Sequence, residues 1–433
     1  MCRCDYQDEK KHSKKCADKY VIKCLPCVIS KPGQYCLGKD FEWSRTDVSA
    51  VSIRAENVVL DFNQRTITSQ VGSQYPLVSA VNSNDLVLKN IHLEAEGDGE
   101  YSIDGIDVRD SSAVVIKSPR LINLQVGLYT ESVKGLEVHG LYLENEDPES
   151  SFTNPILINL SDEIKFYDSV VENARTIFNS VLNADIQRLQ SHNRGPGGSP
   201  SRCLQFSSLS VSDKTTVTNL PPSRTTESVK VSGCQLISDE EAALFAFGAP
   251  IGAFGGAIEF DFTNSHFLIE NNVVKGPIGP IILQNFTSGI VKCNQVIATG
   301  DNNNSGVIIM GEGVRVENNN ISSINDSPIT FGLVFLGWYE IGVETNYGYN
   351  FALNNTVKGA FIGLSDGSGI VPGFDGTVCN VFRDNVATGN VTNCLFDPAL
   401  GTVDQDNICG CSIDASVLRK TGDTDKNLLY LEN

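Results

Sequence analysis

From residue 51 onward the chain keeps returning to one phrase: a short strand of alternating apolar residues, a polar corner and a second short strand. The phrase reads Val58-Val59-Leu60-Asp61-Phe62-Asn63, then Leu86-Val87-Leu88-Lys89-Asn90, Val114-Val115-Ile116-Lys117-Ser118, Leu136-Glu137-Val138-His139-Gly140 and Ile164-Lys165-Phe166-Tyr167-Asp168. Weaker copies begin at Ile186 and Val229, and clear ones return at Phe267, Ile290, Val314, Phe351 and Val381. The shortest intervals between copies are 22 to 24 residues, and the longer intervals leave room for loop insertions. A unit of this length, made of period-2 strands with no helical periodicity, cannot bury its own inward face. Stacking unit on unit does so, and the pattern predicts an all-β parallel solenoid of about 12 coils.

Composition supports this where it bears on the corners. The 433 residues include 38 Gly and 37 Asn, both poor helix formers and good turn formers, and no Asn lies in the first 50 residues. Asn recurs at the fifth position of six copies, as Asn90, Asn271, Asn294, Asn318, Asn355 and Asn385. That position has the parity of the apolar first and third. These six are expected to be structural residues pointing inward, their stacked amides bonding to one another and to turn backbone.

With Pro32-Gly33-Gln34-Tyr35-Cys36-Leu37, Val51-Ser52-Ile53 and Val58 to Ile67 as its opening coil, the pattern resembles the right-handed parallel β-helix proteins. This is the pectate-lyase-like superfamily of polysaccharide lyases, polygalacturonases and phage tailspikes. The resemblance spans about residues 33 to 400 and implies the fold, but the scaffold hosts unrelated activities. The expected organisation is a Cys-rich basic head at 1–32, the solenoid at 33–400 and a tail or cap at 401–433.

Charge narrows the class of partner. Lys and Arg number 33 against 52 Asp and Glu, a net charge of −19, while residues 1–31 alone carry a net +4. An acidic body of this kind excludes binding to nucleic acid through phosphate neutralisation. The first residues hold no apolar run of the length a secretory signal needs, and no stretch reaches the roughly 18 apolar residues of a membrane span. The segment Ala242 to Ile258, Gly- and Ala-rich and broken by Pro250, reads as a buried or interfacial insertion.

In enzymes of the resembled family, the strand before the phrase lines the active cleft. Outward residues there are Asp107 and Arg109, then Glu131 beside Tyr129 on the next coil, and Glu259 and Asp261 further on, near Gln284. Paired carboxylates are what glycoside hydrolysis uses as acid and base or nucleophile, and a carboxylate beside Arg suits lyase chemistry on a uronate. The family's specific motifs, Asn-Thr-Asp, Asp-Asp, Gly-His-Gly, Arg-Ile-Lys and Trp-Ile-Asp-His, are absent. Calcium in a groove is the cofactor an acidic body would need to hold an anionic polymer.

Two further features suggest contacts. The insertion Phe331 to Tyr349 is dense in aromatics, and Trp338, Tyr339, Tyr347 and Tyr349 are its candidates for stacking on sugar rings or on a partner subunit, the equal alternative being a loop that packs back on the solenoid as a cap. Cys16, Cys24, Cys27 and Cys36 have plausible zinc spacing, with a disulfide cluster as the preferred alternative. Seven Asn-x-Ser/Thr sequons carry little weight in so Asn-rich a chain.

The leading expectation is a non-enzymatic structural or surface protein without a cofactor, such as a virion or other particle component reached by a non-classical route. Its partners would be other subunits, through the head or the aromatic insertion, and by analogy with tailspikes a homotrimer. The rivals are a polysaccharide lyase or glycoside hydrolase and a carbohydrate-binding adhesin.

Overall fold

The structure is a computed structural model that describes residues 20–96, 103–145, 156–194, 203–208, 228–239, 244–250, 266–276, 280–286, 288–299, 305–323, 329–335, 338–340, 343–345, 348–367, 379–390, 392–396 and 402–409. The chain divides into two compact units, Met1–Ser199 and Pro200–Asn433. Each unit is a stack of coils built from three parallel sheets, and the described residues contain no helix. Sheet 1 takes the strands of the repeated phrase, sheet 2 the strands after the corner, and sheet 3 the strands before the phrase. In the first unit they hold eight, seven and seven strands; in the second, seven each.

Every start of the phrase falls on a strand of sheet 1. Three further strands of that sheet, Tyr20–Ile22, Gly33–Leu37 and Val403–Gln405, have no counterpart among the copies. Two of these overrun the expected domain boundaries. Tyr20–Ile22 pairs with Gly33–Leu37 and Cys27–Ile29 with Val51–Ile53, so the stack starts inside the segment assigned to the basic head. The alternating triplets Tyr20-Val21-Ile22 and Cys27-Val28-Ile29 are long enough to join a sheet but too short to stand out among the surrounding lysines. At the other end, Val403–Gln405 and Ile408–Cys409 continue the sheets past residue 400. Among the described residues no helix is long and apolar enough to cross a membrane.

Parallel, in-register pairing places equivalent residues directly above one another. In the first unit, Leu60, Leu88, Ile116, Val138, Phe166 and Ile186 form one such inward row, all fully buried. Each aliphatic side chain withdrawn in this way stabilises the coil by about 1.5–3 kcal/mol.

The turn from sheet 1 into sheet 2 is made by a single residue in the left-handed region. Asn90 (φ 50), Ser118 (φ 51), Asp168 (φ 53), Asn271 (φ 56), Asn318 (φ 56) and Asp384 (φ 56) hold it in six of the coils, Arg188, Cys293, Asn354 and Asp406 in others, and Gly140 and Gly233 take it where no side chain is present. Asn, Asp and Gly tolerate this conformation best. The left-handed residue also breaks the period-2 alternation, so that the residue after it points inward.

This corrects the parity expected for the asparagines. Asn90, Asn271 and Asn318 are exposed corner residues, and their successors Ile91, Asn272 and Asn319 are buried. Asn294, Asn355 and Asn385 do point inward, because those copies start one residue earlier than the phrase places them: Ile269 pairs with Val291, so Asn294 stands over Asn272. The true ladder of the second unit is Asn272, Asn294, Asn319, Asn355, Asn385 and Asn407. Asn272 Oδ1 accepts the Cys234 N–H, and from Asn294 on each Oδ1 accepts the backbone N–H and the Nδ2 of the Asn one coil earlier, as in Asn294 N to Asn319 Oδ1 and Asn294 Nδ2 to Asn319 Oδ1, both 3.0 Å. The Nδ2 of Asn319 also donates back to the Val291 carbonyl at 2.9 Å and forward to Asn355 Oδ1 at 3.0 Å. One amide thereby ties three coils together.

Removing that amide strands the buried N–H of Asn294 and one of its two Nδ2 hydrogens, the other staying on the Ile269 carbonyl. Asn319→Ala is expected to lower unfolding stability by about 2–4 kcal/mol. Asn318→Gly, at the exposed corner one residue away, should change it by less than about 0.5 kcal/mol. Urea unfolding of both variants checks the pair, and equal costs would contradict the ladder assignment.

Candidate functional site

The outward face of sheet 3 in the first unit carries the densest polar network among the described residues. Strand Asp104–Arg109 pairs with Val126–Glu131, which pairs with Ile156–Asn159, which pairs with Thr176–Asn179. Inward Ile106, Val108, Leu128, Ile156 and Ile158 anchor these strands in the core. The alternate positions then form two outward rows, Asp107 beneath Tyr129, and Arg109, Glu131, Asn159 and Asn179 in register.

The rows lock together through side-chain bonds. Arg109 donates from Nε to both oxygens of Asp107 at 2.9 and 3.0 Å, and its Nη2 lies 2.9 Å from Asp107 Oδ2. The same guanidinium reaches Glu131 at 3.5 Å and lies over the Tyr129 ring, 4.7 Å from its centroid. Tyr129 donates its hydroxyl to Glu131 at 3.0 Å and accepts from Asn159 Nδ2 at 3.4 Å, while Asn179 Nδ2 donates to Asn159 Oδ1 at 2.9 Å. A directed chain of donors thus runs across three coils and ends on Glu131.

Burial sets the protonation of two members. It pushes the Tyr129 hydroxyl up to about 12, with the Glu131 charge adding to the rise, so Tyr129 stays a donor throughout the neutral range. Burial also pushes the Asp104 carboxyl up to about 6, and the neighbouring Asp107 carboxylate reinforces this against the pull of Arg109. Asp107 itself is 8% exposed. The site therefore combines a carboxyl that takes up a proton near pH 6 with a carboxylate fixed to a guanidinium.

Sequence reasoning placed Asp107, Arg109 and Glu131 together, and the structure does so. It missed Asp104, Asn159 and Asn179. The two asparagines occupy the register position of Arg109 and Glu131, which alignment of the strands before each phrase reveals. Glu259 and Asp261 lie outside the described residues.

The aromatic insertion is not one cluster. Phe331 and Phe335 are core residues of strand Ile329–Phe335, and the Phe335 ring lies 5.1 Å from Phe382. They read as surface aromatics in sequence because the strand and the hairpin after it follow without a break. Trp338 and Tyr339 sit on an antiparallel hairpin, Trp338–Glu340 with Val343–Thr345. Tyr349 is an exposed corner residue with φ 55, and Tyr347 lies outside the described residues.

Cys27 is disulfide-bonded, whereas Cys24 and Cys36 are thiols and Cys16 lies outside the described residues. A sulfur held in a disulfide is not a thiolate ligand, so the four-cysteine zinc set does not fit this state. Among the described residues no group of three or more His, Cys, Asp or Glu side chains is arranged to hold a metal ion. A cation shared by Asp107 and Glu131 would compete with the Arg109 guanidinium, which contacts both. At the end of the second unit, Cys394 and Cys409 form a disulfide between sheets 3 and 2.

No family model matches the chain, and no curated protein does. Solved structures with a similar fold include tailspike protein 3 of bacteriophage CBA120, at 11% identity and a TM-score of 0.43 over 90% of this chain and 53% of that one. The A-module of the Azotobacter vinelandii mannuronan C-5 epimerase AlgE6 matches at 11% identity and a TM-score of 0.39, over 87% of each chain. The catalytic domain of a GH87 α-1,3-glucanase matches at 12% identity and a TM-score of 0.39, over 90% of this chain and 62% of that one. The chain has the parallel β-solenoid fold. It spans about half the length of the tailspike chain, and at these identities the likeness is one of fold.

Two measurements probe these assignments. An acid whose pKa rises from 3.8 to about 6 on folding stabilises the fold while protonated. That contribution, about 3 kcal/mol, is complete below about pH 4 and lost as pH rises through 6. Asp104→Asn should therefore melt progressively higher than the parent as pH goes from 4 to 7.5, and a constant difference in Tm would contradict the raised pKa. Separately, alkylation of the native protein should label the exposed Cys293 and Cys379 before the buried Cys203 and Cys234. Cys394 and Cys409 should label only after reduction, as read by peptide mass spectrometry.

Proposed function

We propose that the chain is a non-enzymatic surface protein, a rigid solenoid that presents fixed rows of side chains to a partner on a particle surface such as that of a virion. The observation that carries this reading is the sharing of Arg109. Acid–base chemistry on a glycan needs one carboxyl to give a proton and another to act as base or nucleophile. Asp107 and Glu131 instead converge on one guanidinium, and Glu131 also holds the Tyr129 hydroxyl. Charge-assisted bonds of this kind cost substantial free energy to break, which favours a presented surface over a reacting one. The disulfides at Cys27 and between Cys394 and Cys409 agree with work in an oxidising setting.

One observation favours a glycoside hydrolase as the second reading. Asp104, whose carboxyl burial and the Asp107 charge push up to about 6, could give a proton, and a carboxyl raised in this way is how such enzymes keep an acid near neutral pH.

A panel of neutral and acidic polysaccharides, assayed at pH 5 and pH 7.5 for reducing ends and for unsaturated products, separates the two. The surface-protein reading expects no turnover at either pH. Turnover that falls at least 100-fold in both Asp104→Asn and Asp107→Asn would overturn it in favour of the hydrolase.

A further inference from the structure

The outward face of sheet 1 in the second unit is largely apolar and partly exposed. One register row there runs Lys230, Leu268, Ile290, Arg315, Phe351, Val381 and Val403, each paired with the next. Five of these seven outward positions are apolar, although the facing side of the strands already supplies the core through Ile269, Val291, Val316, Ala352 and Phe382. Phe351 is 37% exposed and Val403 48%, and Tyr349, at the corner before Phe351, is 56% exposed. In the first unit the matching row begins Val59, Val87, Val115 but then turns charged at Glu137, Lys165 and Asp185.

The charges in and beside this row are mostly held in pairs. Glu270 takes Lys230 at 3.7 Å and Lys292 at 3.2 Å, Arg315 meets Glu317 at 2.8 Å, and Arg383 meets Asp384 at 3.2 Å. These groups nearly cancel, and with the exposed Glu312, Asp404 and Asp406 the face is only weakly acidic in a chain of net charge −19.

We propose that this face joins two copies of the chain, row against row, in an isologous contact. Charge selects the occupant. Two copies with a net charge of −19 each repel wherever acidic surfaces meet, and this weakly acidic apolar strip lets them approach at a lower cost. An acidic polymer or an anionic lipid surface would find the cations already engaged by Glu270, Glu317 and Asp384.

The dimensions are sufficient. Seven strands at about 4.8 Å give a strip of roughly 29 Å, and five residues across give about 16 Å, so two copies bury on the order of 1,000 Å². That is the lower bound for a specific interface, the size class of weak and transient contacts. A contact that repeats the same patch on both partners closes at two copies and does not propagate.

Analytical ultracentrifugation of the full chain tests this from about 1 to 100 µM, in a Cys293→Asn/Cys379→Asn background so that the exposed thiols do not cross-link. Asn suits both positions because their φ values are 55 and 53. The expected result is a monomer–dimer equilibrium that Phe351→Glu and, separately, Val381→Lys each weaken at least tenfold, with circular dichroism and Tm unchanged. A parent that stays monomeric at 100 µM overturns the proposal, as does association that neither variant weakens. So does a monomeric parent that binds phosphatidylserine vesicles or a polysaccharide resin through Phe351, since the occupant would then not be a second copy.

Discussion

Parallel backbone pairing at one coil per step is the constraint on which everything else in this protein rests. Because equivalent residues stand over one another, a residue type chosen for one coil is tested against its neighbours above and below. Apolar side chains meet that test easily, as the row from Leu60 to Ile186 does. A polar side chain pointing inward meets it best when its neighbours complete its hydrogen bonds, since an unpaired buried amide is costly, although Thr130 and Thr176 are buried with hydroxyls that find no partner. The two units solve this differently. In the first, the hydroxyls of Ser111, Ser161 and Ser169 accept a backbone N–H from the coil before and donate to a carbonyl two residues back in their own coil. In the second, Asn amides bridge forward and back at once. Serine joins two coils and asparagine three, which explains why the excess of asparagine belongs to the repeat.

The same register that builds the core organises the exterior. Residues 20 to 30 apart in sequence become neighbours, so outward charges sort into short ladders. Glu137 binds Lys165 one coil on at 2.6 Å, and Asp168 holds Arg188 in the next coil through a paired contact. Exposed pairs of this kind contribute little to stability one at a time. The Arg109 network differs because burial raises Tyr129 and Asp104 and Asp107 is almost fully enclosed, so its bonds form where water competes weakly.

Much of this was legible in the sequence. The phrase located the strands of sheet 1, and counting alternate residues placed Asp107, Arg109 and Glu131 on one outward face. Parity failed where a left-handed residue interrupts it. The doublets Asn271-Asn272, Cys293-Asn294, Asn318-Asn319, Asn354-Asn355, Asp384-Asn385 and Asp406-Asn407 carry the correct alignment, a tolerant corner residue followed by an inward amide. A phrase aligned on apolar residues alone slips by one in the copies at Ile290, Phe351 and Val381. Asp104 was invisible for another reason: its altered protonation comes from packing and from Asp107, and no residue pattern encodes either. The aromatic insertion misled because Phe331 and Phe335 belong to a buried strand, so the density of aromatics measured core as well as surface.

Inward positions are therefore heavily constrained and outward positions almost free, since strand pairing does not depend on what the outer side chain is. That freedom is used in opposite ways by the two units. On the first, sheet 3 gathers Arg, Asp, Glu, Tyr and Asn into a closed network that presents hydroxyl and amide groups. On the second, sheet 1 fills most of its outward row with Leu, Ile, Phe and Val, and the cations in that row, Lys230 and Arg315, are paired with Glu270 and Glu317. Apolar side chains there add nothing to a core that is already filled from the other side, and each exposed one makes the isolated chain less soluble. Their recurrence in register on five of seven strands is thus not a requirement of the fold, and it points to a role for that face outside the fold itself.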